Sequence, residues 1–284
     1  MQYRTLGRTG ERVSELGFGG TGVGMKNYLS DWDPEEQTEA SIEAVSRAVE
    51  LGVNYFDTAP LYGRGRSEHL FGRALKPHRD RVFLATKVRA ASADEVVRSV
   101  DESLERLQTE RIDLLQYHGE WINEDILEDI LKPGGVLAGL QKAQQQGTVR
   151  YIGFTSEGVT GPVSRLVETD SFDVMQIQYN LFFQHPCDPD KQQGVMYEAE
   201  ARSMGIVLMR TFTGGVFQKW IPQAAPQHHD QVDFHRALLG FALSNPMTDV
   251  ALADMRRTDW LEANAAVSDD PSARIDLDGL FRRF

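Results

Sequence analysis

The chain has 284 residues, of which 41% are hydrophobic and 25% charged, and 42 acidic residues against 30 basic ones give a formal net charge of −12. This composition is typical of a globular protein, and the excess of acidic residues argues against a nucleic-acid binder, which would need a basic face. No apolar run approaches the roughly 20 residues that span a bilayer, and the charged N-terminus lacks the apolar core of a signal peptide. We therefore expect a cytoplasmic protein with no nucleic-acid or membrane partner.

Cysteine and histidine are poorly placed for metal binding. The single cysteine, Cys187, excludes an intrachain disulfide and any metal site built from clustered cysteines. His228 and His229 lie in a polar stretch with no partners at ligand spacing, and Leu16–Gly22 contains no histidine. We therefore expect no bound metal, and a metal-dependent hydrolase is disfavoured.

Short apolar runs alternate with longer amphipathic stretches from one end of the chain to the other, which predicts strands and helices in turn. Eight runs have the length and apolar character of strands that are buried on both faces. These predicted strands are Leu16–Gly19, Asn54–Asp57, Val82–Thr86, Ile112–Tyr117, Tyr151–Phe154, Val174–Tyr179, Ile206–Met209 and Asp249–Leu252.

Helix starts stand between these runs. Asp33-Pro34-Glu35-Glu36 offers an N-cap aspartate, a proline at the first helical position and an acid three residues on, and Ser92-Ala93-Asp94-Glu95 is a second capping box. Apolar residues at helical spacing predict the remaining helices. One is marked by Leu137, Leu140 and Ala143 and ends near Gly147, and the others cover Pro162–Val167, Gln192–Met204, Phe234–Leu243 and Thr258–Val267.

Eight strand-then-helix units in a chain of this length predict an α/β fold, a closed (β/α)₈ or TIM barrel. The leading segment Tyr3–Val13 contains Gly7 and Gly10 and is predicted to form a short hairpin that closes the barrel floor. No low-complexity linker or composition break interrupts the chain, so we expect one domain over residues 1–284. A doubly wound open sheet is the alternative architecture.

Four polar residues follow three consecutive predicted strands at the end where barrel enzymes build their sites. Asp57 ends the second strand and Tyr62 lies in the loop after it, while Lys87 and His118 follow the third and fourth strands. Singly, each has a structural explanation, such as a turn cap, an ion pair or a packing contact. In this order and position, they indicate a site.

The chemistry of this quartet can be argued directly. A carboxylate at Asp57 keeps Lys87 charged when it is buried, and a nearby ammonium stabilises a developing phenolate at Tyr62. A neutral His118 can donate a hydrogen bond that orients a substrate carbonyl. Together they can protonate a carbonyl oxygen while a hydride reaches its carbon.

Several ordered motifs extend from one end of the chain to the other. They are Arg4–Gly10, Val13–Gly19, Phe56–Ala59, Tyr62-Gly63, Thr86-Lys87, Ile112–Leu115 before His118, Arg150–Thr155, Gln176–Asn180 and Met209-Arg210. In this order the motifs resemble the aldo-keto reductases. The resemblance implies an NAD(P)H-dependent barrel that reduces aldehyde, ketone or sugar carbonyls to alcohols, or runs in reverse. It also implies that the quartet is the catalytic tetrad, with Tyr62 as the proton donor.

The resemblance further implies contacts to the nicotinamide end of the cofactor. These residues are Gly20 and Thr21 after the first strand, Asp57 at the end of the second, Thr155 and Ser156 after the fifth, Gln176 on the sixth and Met209 on the seventh. Two departures stand out. Thr155-Ser156 replaces the family's Ser-Asn, which removes an amide, and Met209 stands where an aromatic ring often covers the nicotinamide. Arg210 is positioned to pair with the pyrophosphate.

The segment after the eighth strand is the implied binding site for the adenosine half. Arg256 and Arg257 supply charge suited to a 2′-phosphate, and Asn264 matches an adenine contact. Asp254 stands where the family commonly has glycine, and Ala263 stands where it has glutamate. We expect NADP(H), with NAD(H) as the second option.

The glycines of Gly17–Gly22 match the pattern G-x-G-x-x-G, which elsewhere marks a Rossmann fold. A Rossmann fold requires a helix that begins directly at the glycine motif, whereas a loop over Val23–Asp33 is predicted here. We therefore reject the Rossmann fold. Candidate substrate loops are Val23–Asp33, Gly119–Gly134 and the tail Pro271–Phe284. The aromatic residues that could line a pocket are Trp32, Trp121, Phe212 and Trp220.

Two other functions remain open. One is a catalytically weak nicotinamide-binding barrel with a regulatory or partner-binding role. The other is a Schiff-base aldolase that uses Lys87, which an adjacent Asp57 would disfavour by keeping the amine protonated. We expect a small-molecule carbonyl or alcohol substrate and a monomer or weak homo-oligomer.

Overall fold

The computed structural model describes residues 1–26, 33–229, 231–277 and 279. The strands within these residues are β1 (Tyr3–Thr5), β2 (Arg12–Ser14), β3 (Leu16–Gly19), β4 (Tyr55–Asp57), β5 (Phe83–Val88), β6 (Ile112–Tyr117), β7 (Val149–Ser156), β8 (Val174–Gln178), β9 (Gly205–Met209) and β10 (Val250–Asp254). The α-helices are α1 (Thr21–Gly24), α2 (Thr38–Glu50), α3 (Arg66–Leu75), α4 (Ala93–Leu107), α5 (Glu124–Leu131), α6 (Val136–Gln145), α7 (Gly161–Glu168), α8 (Val195–Glu200), α9 (Val216–Ala224), α10 (Pro226–His229), α11 (Phe234–Ser244) and α12 (Thr258–Asp269).

Strands β3 to β10 form a closed parallel barrel in the order β10-β3-β4-β5-β6-β7-β8-β9. The predicted (β/α)₈ barrel is therefore confirmed, and the alternative of an open sheet is wrong. The register places Gly19 of β3 beside Asp57 on one side and Asp254 on the other. The carboxyl ends of these three strands are thus level, and their polar residues share one rim of the barrel.

The opposite end of the barrel is closed by the predicted N-terminal hairpin. β1 and β2 pair antiparallel, with Tyr3 opposite Ser14. Leu6 and Val13 are fully buried and pack in one cluster with barrel residues such as Val174 and Val250. The hairpin therefore fills the floor of the barrel with apolar side chains and leaves the carboxyl rim for polar ones.

Helix boundaries follow the sequence signals where local capping dominates. Ser92 accepts a hydrogen bond from the Glu95 N–H, and α4 begins at Ala93 as expected. The start predicted at Pro34 is wrong, because the Asp33 side chain accepts from the Glu35 N–H and caps a separate turn over residues 34–37. The helix itself begins at Thr38.

The helix predicted over Gln192–Met204 is shorter than expected and covers only Val195–Glu200. Gly194 precedes it with φ of 117°, a conformation outside the helical region, and Gln193 bridges back to Asp188. Helices α1, α3, α5, α9 and α10 were not expected, and α5 lies inside the predicted loop Gly119–Gly134. No helix in the described part of the chain is long and apolar enough to cross a membrane.

Candidate active site

A buried ion pair stands at the centre of the carboxyl rim. Lys87 Nζ lies 2.5 Å from Asp57 Oδ1 and donates a second hydrogen bond to the Thr58 carbonyl at 2.9 Å. Asp57 pairs in register with Ala85, so Lys87, two residues further along β5, points to the same barrel interior. Both charged side chains are almost fully buried. Each therefore depends on the other for its charge.

Tyr62 and His118 complete the group. Tyr62 lies in the loop after β4, where its N–H bonds to the Ala59 carbonyl at 3.1 Å. Lys87 Nζ is 5.0 Å from the centre of the Tyr62 ring. The rings of Tyr62 and His118 meet edge to face with centres 5.7 Å apart. The structure thus brings the four predicted side chains together.

The charges of the pair are set by burial and by their mutual contact. Burial would lower the pKa of Lys87, but the Asp57 carboxylate and Tyr62 outweigh it, and the pKa is raised. Burial raises the pKa of the Asp57 carboxyl against the opposing effect of Lys87. Lys87 therefore stays protonated and is a poor nucleophile, which disfavours the Schiff-base chemistry left open above.

His118 is neutral at physiological pH. Burial lowers its pKa to about 3, and the positive charges of Lys87 and Arg89 act in the same direction. The buried Nδ1 has no hydrogen-bond partner within the described residues. A neutral imidazole next to a phenol can donate one hydrogen bond to an oxygen atom without competing for its proton.

Gln116 is a site residue that the sequence analysis missed. This fully buried amide on β6 donates from Nε2 to Asp57 Oδ2 and to Gln176 Oε1, both at 3.2 Å. It therefore connects the tetrad to a residue expected at the carboxamide of the cofactor. The signal in the sequence was a glutamine inside an otherwise apolar buried strand, Ile112–Tyr117.

Two residues expected at the nicotinamide end contact this network. Gly20 lies beside the site, since its N–H bonds to the Asp57 carbonyl at 2.7 Å. Gln176 is connected through Gln116, and its Nε2 lies 3.7 Å from Met209 Sδ. Thr21 is exposed at the start of α1.

The polar groups of three other predicted cofactor residues already form contacts within the chain. Thr155 Oγ1 donates to the Gly119 carbonyl at 2.6 Å, and Ser156 Oγ donates to the Gly158 carbonyl at 2.8 Å. Both hydroxyls therefore hold loop backbone, and Ser156 Oγ also accepts from the Gly158 N–H at 3.3 Å. Arg210 is exposed and forms an ion pair with Glu157. No contact within the described residues joins the Arg210 side chain to the tetrad.

The residues expected at the adenosine end form a second group after β10. Arg256 is 1% exposed and its Nη2 lies 2.6 Å from Asp254 Oδ2. Arg257 is half exposed and forms a two-point ion pair with Asp259, at 2.9 and 2.7 Å. Both guanidinium groups lie 5.3 Å from the Trp260 ring. The charges that the sequence assigned to a phosphate therefore already have carboxylate partners.

The aromatic residues considered for a pocket are scattered. Trp121 and Trp220 are 60% and 61% exposed, and Phe212 is half-buried against the His235 ring at 4.9 Å. Trp32, residues 27–32 of the first candidate loop and most of the tail after 277 lie outside the described residues. In the described ranges, no group of three histidine, cysteine or acidic side chains is arranged to hold a metal ion.

A nicotinamide dinucleotide fits part of this rim. Asn264 is buried after β10, donates to the Asp254 carbonyl at 3.4 Å and keeps an Oδ1 that finds no partner in the described chain. Gln116 Oε1 is a second buried acceptor of this kind, beside Gln176. Such unmet acceptors suit the amino groups of adenine and carboxamide. The 2′-phosphate of NADP(H) fits less well, because Arg256 already forms an ion pair with Asp254.

Comparison with known proteins gives one consistent family. A family model described as the aldo/keto reductase family matches residues 15–272. The chain is 38% identical over 165 residues to L-galactose dehydrogenase of Arabidopsis thaliana, which covers 55% of this chain and 48% of that protein. It is 33% identical over 194 residues to aldo-keto reductase YhdN of Bacillus subtilis (strain 168), which covers 64% and 55%. The chain thus spans about half the length of these two relatives.

A similar fold is found among solved structures. An aldo/keto reductase from Klebsiella pneumoniae, crystallised in complex with NADP and acetate, superposes with a TM-score of 0.77. The match covers 99% of this chain and 94% of that one at 18% sequence identity. At this identity the likeness concerns the fold.

Proposed function

Because the chain belongs to the aldo/keto reductase family, we propose that it reduces the carbonyl of a small aldehyde or ketone with a nicotinamide dinucleotide, or oxidises the corresponding alcohol. The observation that carries the proposal is the contact of Asp57, Lys87, Tyr62 and His118 at one rim of the barrel. A relative named L-galactose dehydrogenase supports including sugars among the substrates.

The residues divide the work of a proton-coupled reduction. A nicotinamide dinucleotide held by Gly20, Gln176 and Asn264 would supply the hydride that such a reduction needs. Tyr62 donates its proton to the carbonyl oxygen, and the positive charge on Lys87 stabilises the phenolate that remains. Asp57 keeps Lys87 charged in its buried position. The neutral His118 donates a hydrogen bond that orients the substrate oxygen.

NADP(H) is the cofactor form that we propose. The Klebsiella pneumoniae neighbour was crystallised with NADP, and the segment after β10 carries two arginines within one turn of α12. On this chain Gly20, Thr21, Gln176, Met209 and Asn264 would line the dinucleotide. Thr155 and Ser156 would contact the dinucleotide only as hydrogen-bond acceptors, because their hydroxyls already donate to loop carbonyls. Arg210 would contact it only with the charge that its ion pair with Glu157 leaves uncompensated.

The decisive experiment is removal of the Tyr62 hydroxyl. We expect Tyr62→Phe to lower kcat for NADPH-dependent reduction of simple aldehydes by roughly 10²- to 10⁴-fold, the range typical of a lost general acid. NADPH affinity, measured by fluorescence titration, should stay within about threefold, because Tyr62 acts on the substrate oxygen.

Tyr151→Phe is the matched control, since the Tyr151 hydroxyl bonds to Thr9 and Glu11 at the floor of the barrel. Its turnover should equal that of the native protein. Unchanged turnover in Tyr62→Phe would contradict the proposed mechanism. NADPH binding by the native protein without oxidation by any member of an aldehyde, ketone and sugar panel would favour the regulatory or partner-binding role instead.

A further inference from the structure

An acidic side chain lies at the end of β10, where the cofactor site implied by the sequence calls for positive charge. Asp254 pairs in register with Gly19, and its carboxylate lies over the glycine-rich turn that follows. A Cβ atom added to Gly22 would stand only 2.5 Å from Asp254 Oδ2. The carboxylate therefore lies against this turn, with its side chain 30% exposed.

Asp254 holds Arg256 at two points. Asp254 Oδ2 accepts from Arg256 Nη2 at 2.6 Å, and Oδ1 accepts from the Arg256 backbone N–H at 3.2 Å. Arg256 Nη1 lies 3.4 Å from the Gly22 carbonyl and its guanidinium faces the Trp260 ring. Burial raises the pKa of the Asp254 carboxyl and the adjacent guanidinium opposes that rise. A phosphate approaching Arg256 must displace or share this carboxylate.

The pairing cancels the local charge. Between residues 254 and 259 there are two acids and two arginines, and Asp254 pairs with Arg256 while Asp259 pairs with Arg257. The two pairs differ in burial: the Arg256 and Asp254 side chains are 1% and 30% exposed, whereas the Arg257 and Asp259 side chains are 48% and 60% exposed. The exposed pair can open at little cost, whereas opening the other pair would leave the buried Arg256 guanidinium without its carboxylate in low-dielectric surroundings.

We propose that Asp254 is a selectivity-determining residue that competes with the cofactor's 2′-phosphate for Arg256, and so narrows the preference for NADP(H) over NAD(H). The inference rests on the proposed nicotinamide-dependent function. It requires that neutralising Asp254 strengthens the binding of NADP(H) and leaves the binding of NAD(H) nearly constant. Only NADP(H) carries the 2′-phosphate that would reach Arg256.

The test compares dissociation constants for NADPH and NADH, measured by fluorescence titration on the full chain and its variants. Asp254→Asn should tighten NADPH binding by about tenfold, the effect of releasing one charge-assisted hydrogen bond, with NADH unchanged within about twofold. Asp259→Asn is the matched control: it also removes one negative charge, from the exposed pair, and should shift the NADPH constant by less than about threefold.

Adding Arg256→Gln to Asp254→Asn should abolish the gain. Adenosine 2′,5′-bisphosphate and adenosine 5′-phosphate, used as probes without a nicotinamide, should reproduce the same pattern by calorimetry. An equal gain in both aspartate variants would overturn the proposal in favour of net charge, and so would no gain in either.

The native protein provides a test that needs no variant. Its NADPH and NADH constants should agree within about tenfold, and a preference for NADPH above about 10³-fold would also overturn the proposal. Failure of both dinucleotides to bind the native chain would instead contradict the proposed function itself, so the two failures are distinguishable.

Discussion

At the scale of the residue, the site depends on how burial treats each ionisable group. Lys87 and Asp57 stay charged because they are 2.5 Å apart, and removing either would leave an unpaired buried charge. His118 has no carboxylate partner in the described chain and is surrounded by positive charge, so it responds by losing its proton. The same burial therefore supports an ion pair at one position and a neutral imidazole at the next.

A pH titration tests this description of His118. Because its pKa is about 3 in the folded state, against an ordinary value of 6.5, the unfolded chain binds a proton between these values that the native chain does not. Stability from this residue is therefore complete above pH 6.5 and is lost on acidification, at up to about 1.4 kcal/mol per pH unit.

The matching control is His118→Gln, which should lose less stability than the native protein between pH 6.5 and 4.5 in urea unfolding. Comparison with the variant is needed because burial raises the pKa of Asp249 to about 7. Asp249 therefore increases the stability of the native protein on acidification in the same pH range, which opposes the effect of His118. Identical pH slopes in the two proteins would contradict the neutral state, as would an NMR titration of the His118 imidazole between pH 5 and 8.

At the scale of the element, Tyr62 is placed by two segments of backbone that touch. A Cβ at Gly24 would stand 2.6 Å from the Tyr62 carbonyl oxygen, and one at Gly63 would stand 2.0 Å from the Gly24 oxygen. Gly63 also has a φ of 65°, which side chains rarely adopt. The end of α1 and the loop after β4 can therefore approach only because both positions are glycine.

We expect Gly24→Ala to push the Tyr62 loop outward and lower turnover by roughly 10- to 100-fold, since a displacement of about 1 Å at a reacting group has this effect. Gly161→Ala is the matched control, because a Cβ at Gly161 in the first turn of α7 meets nothing within 4 Å. Steady-state kinetics with a simple aldehyde gives the comparison. Equal rates for the two variants would show that Tyr62 does not depend on this contact.

At the scale of the whole molecule, stability and chemistry occupy opposite ends of the barrel. The floor is closed by Leu6 and Val13 in an apolar cluster, while the carboxyl rim carries buried polar groups such as Asp57 and Gln176. The barrel strands run from Leu16 to Asp254. That residues 1–284 form one domain, and that the protein is a monomer or weak homo-oligomer, stay predictions.

This separation makes a prediction for the floor. Leu6→Ala should lower the free energy of unfolding by about 2–5 kcal/mol, the range for a buried leucine whose removal leaves a cavity. The KM for NADPH should not change, because Leu6 lies at the far end of the barrel. Thr5→Ala, at an exposed neighbouring position of the same hairpin, should change stability by less than about 0.5 kcal/mol. A changed cofactor KM in Leu6→Ala would show that the two ends are coupled.

The sequence by itself determined the barrel and its floor, and it singled out four side chains that the structure brings together at one rim. That these four form a catalytic tetrad stays a prediction. Strands buried on both faces leave continuous apolar runs, and a parallel barrel puts the residue after each run at one rim, so order along the chain predicts neighbours in space. Helix starts were less certain: Ser92 capped a helix as expected, whereas Asp33 capped a turn.

Only the tertiary structure decided which polar groups are already engaged. Gln116 joins Asp57 to Gln176, Asp254 pairs with Arg256, and the Thr155 hydroxyl holds a loop carbonyl. Each of these contacts is made by side-chain orientation, often between distant parts of the chain. Local sequence patterns report the period of a strand or helix, but carry no information on which partner a buried polar atom will meet.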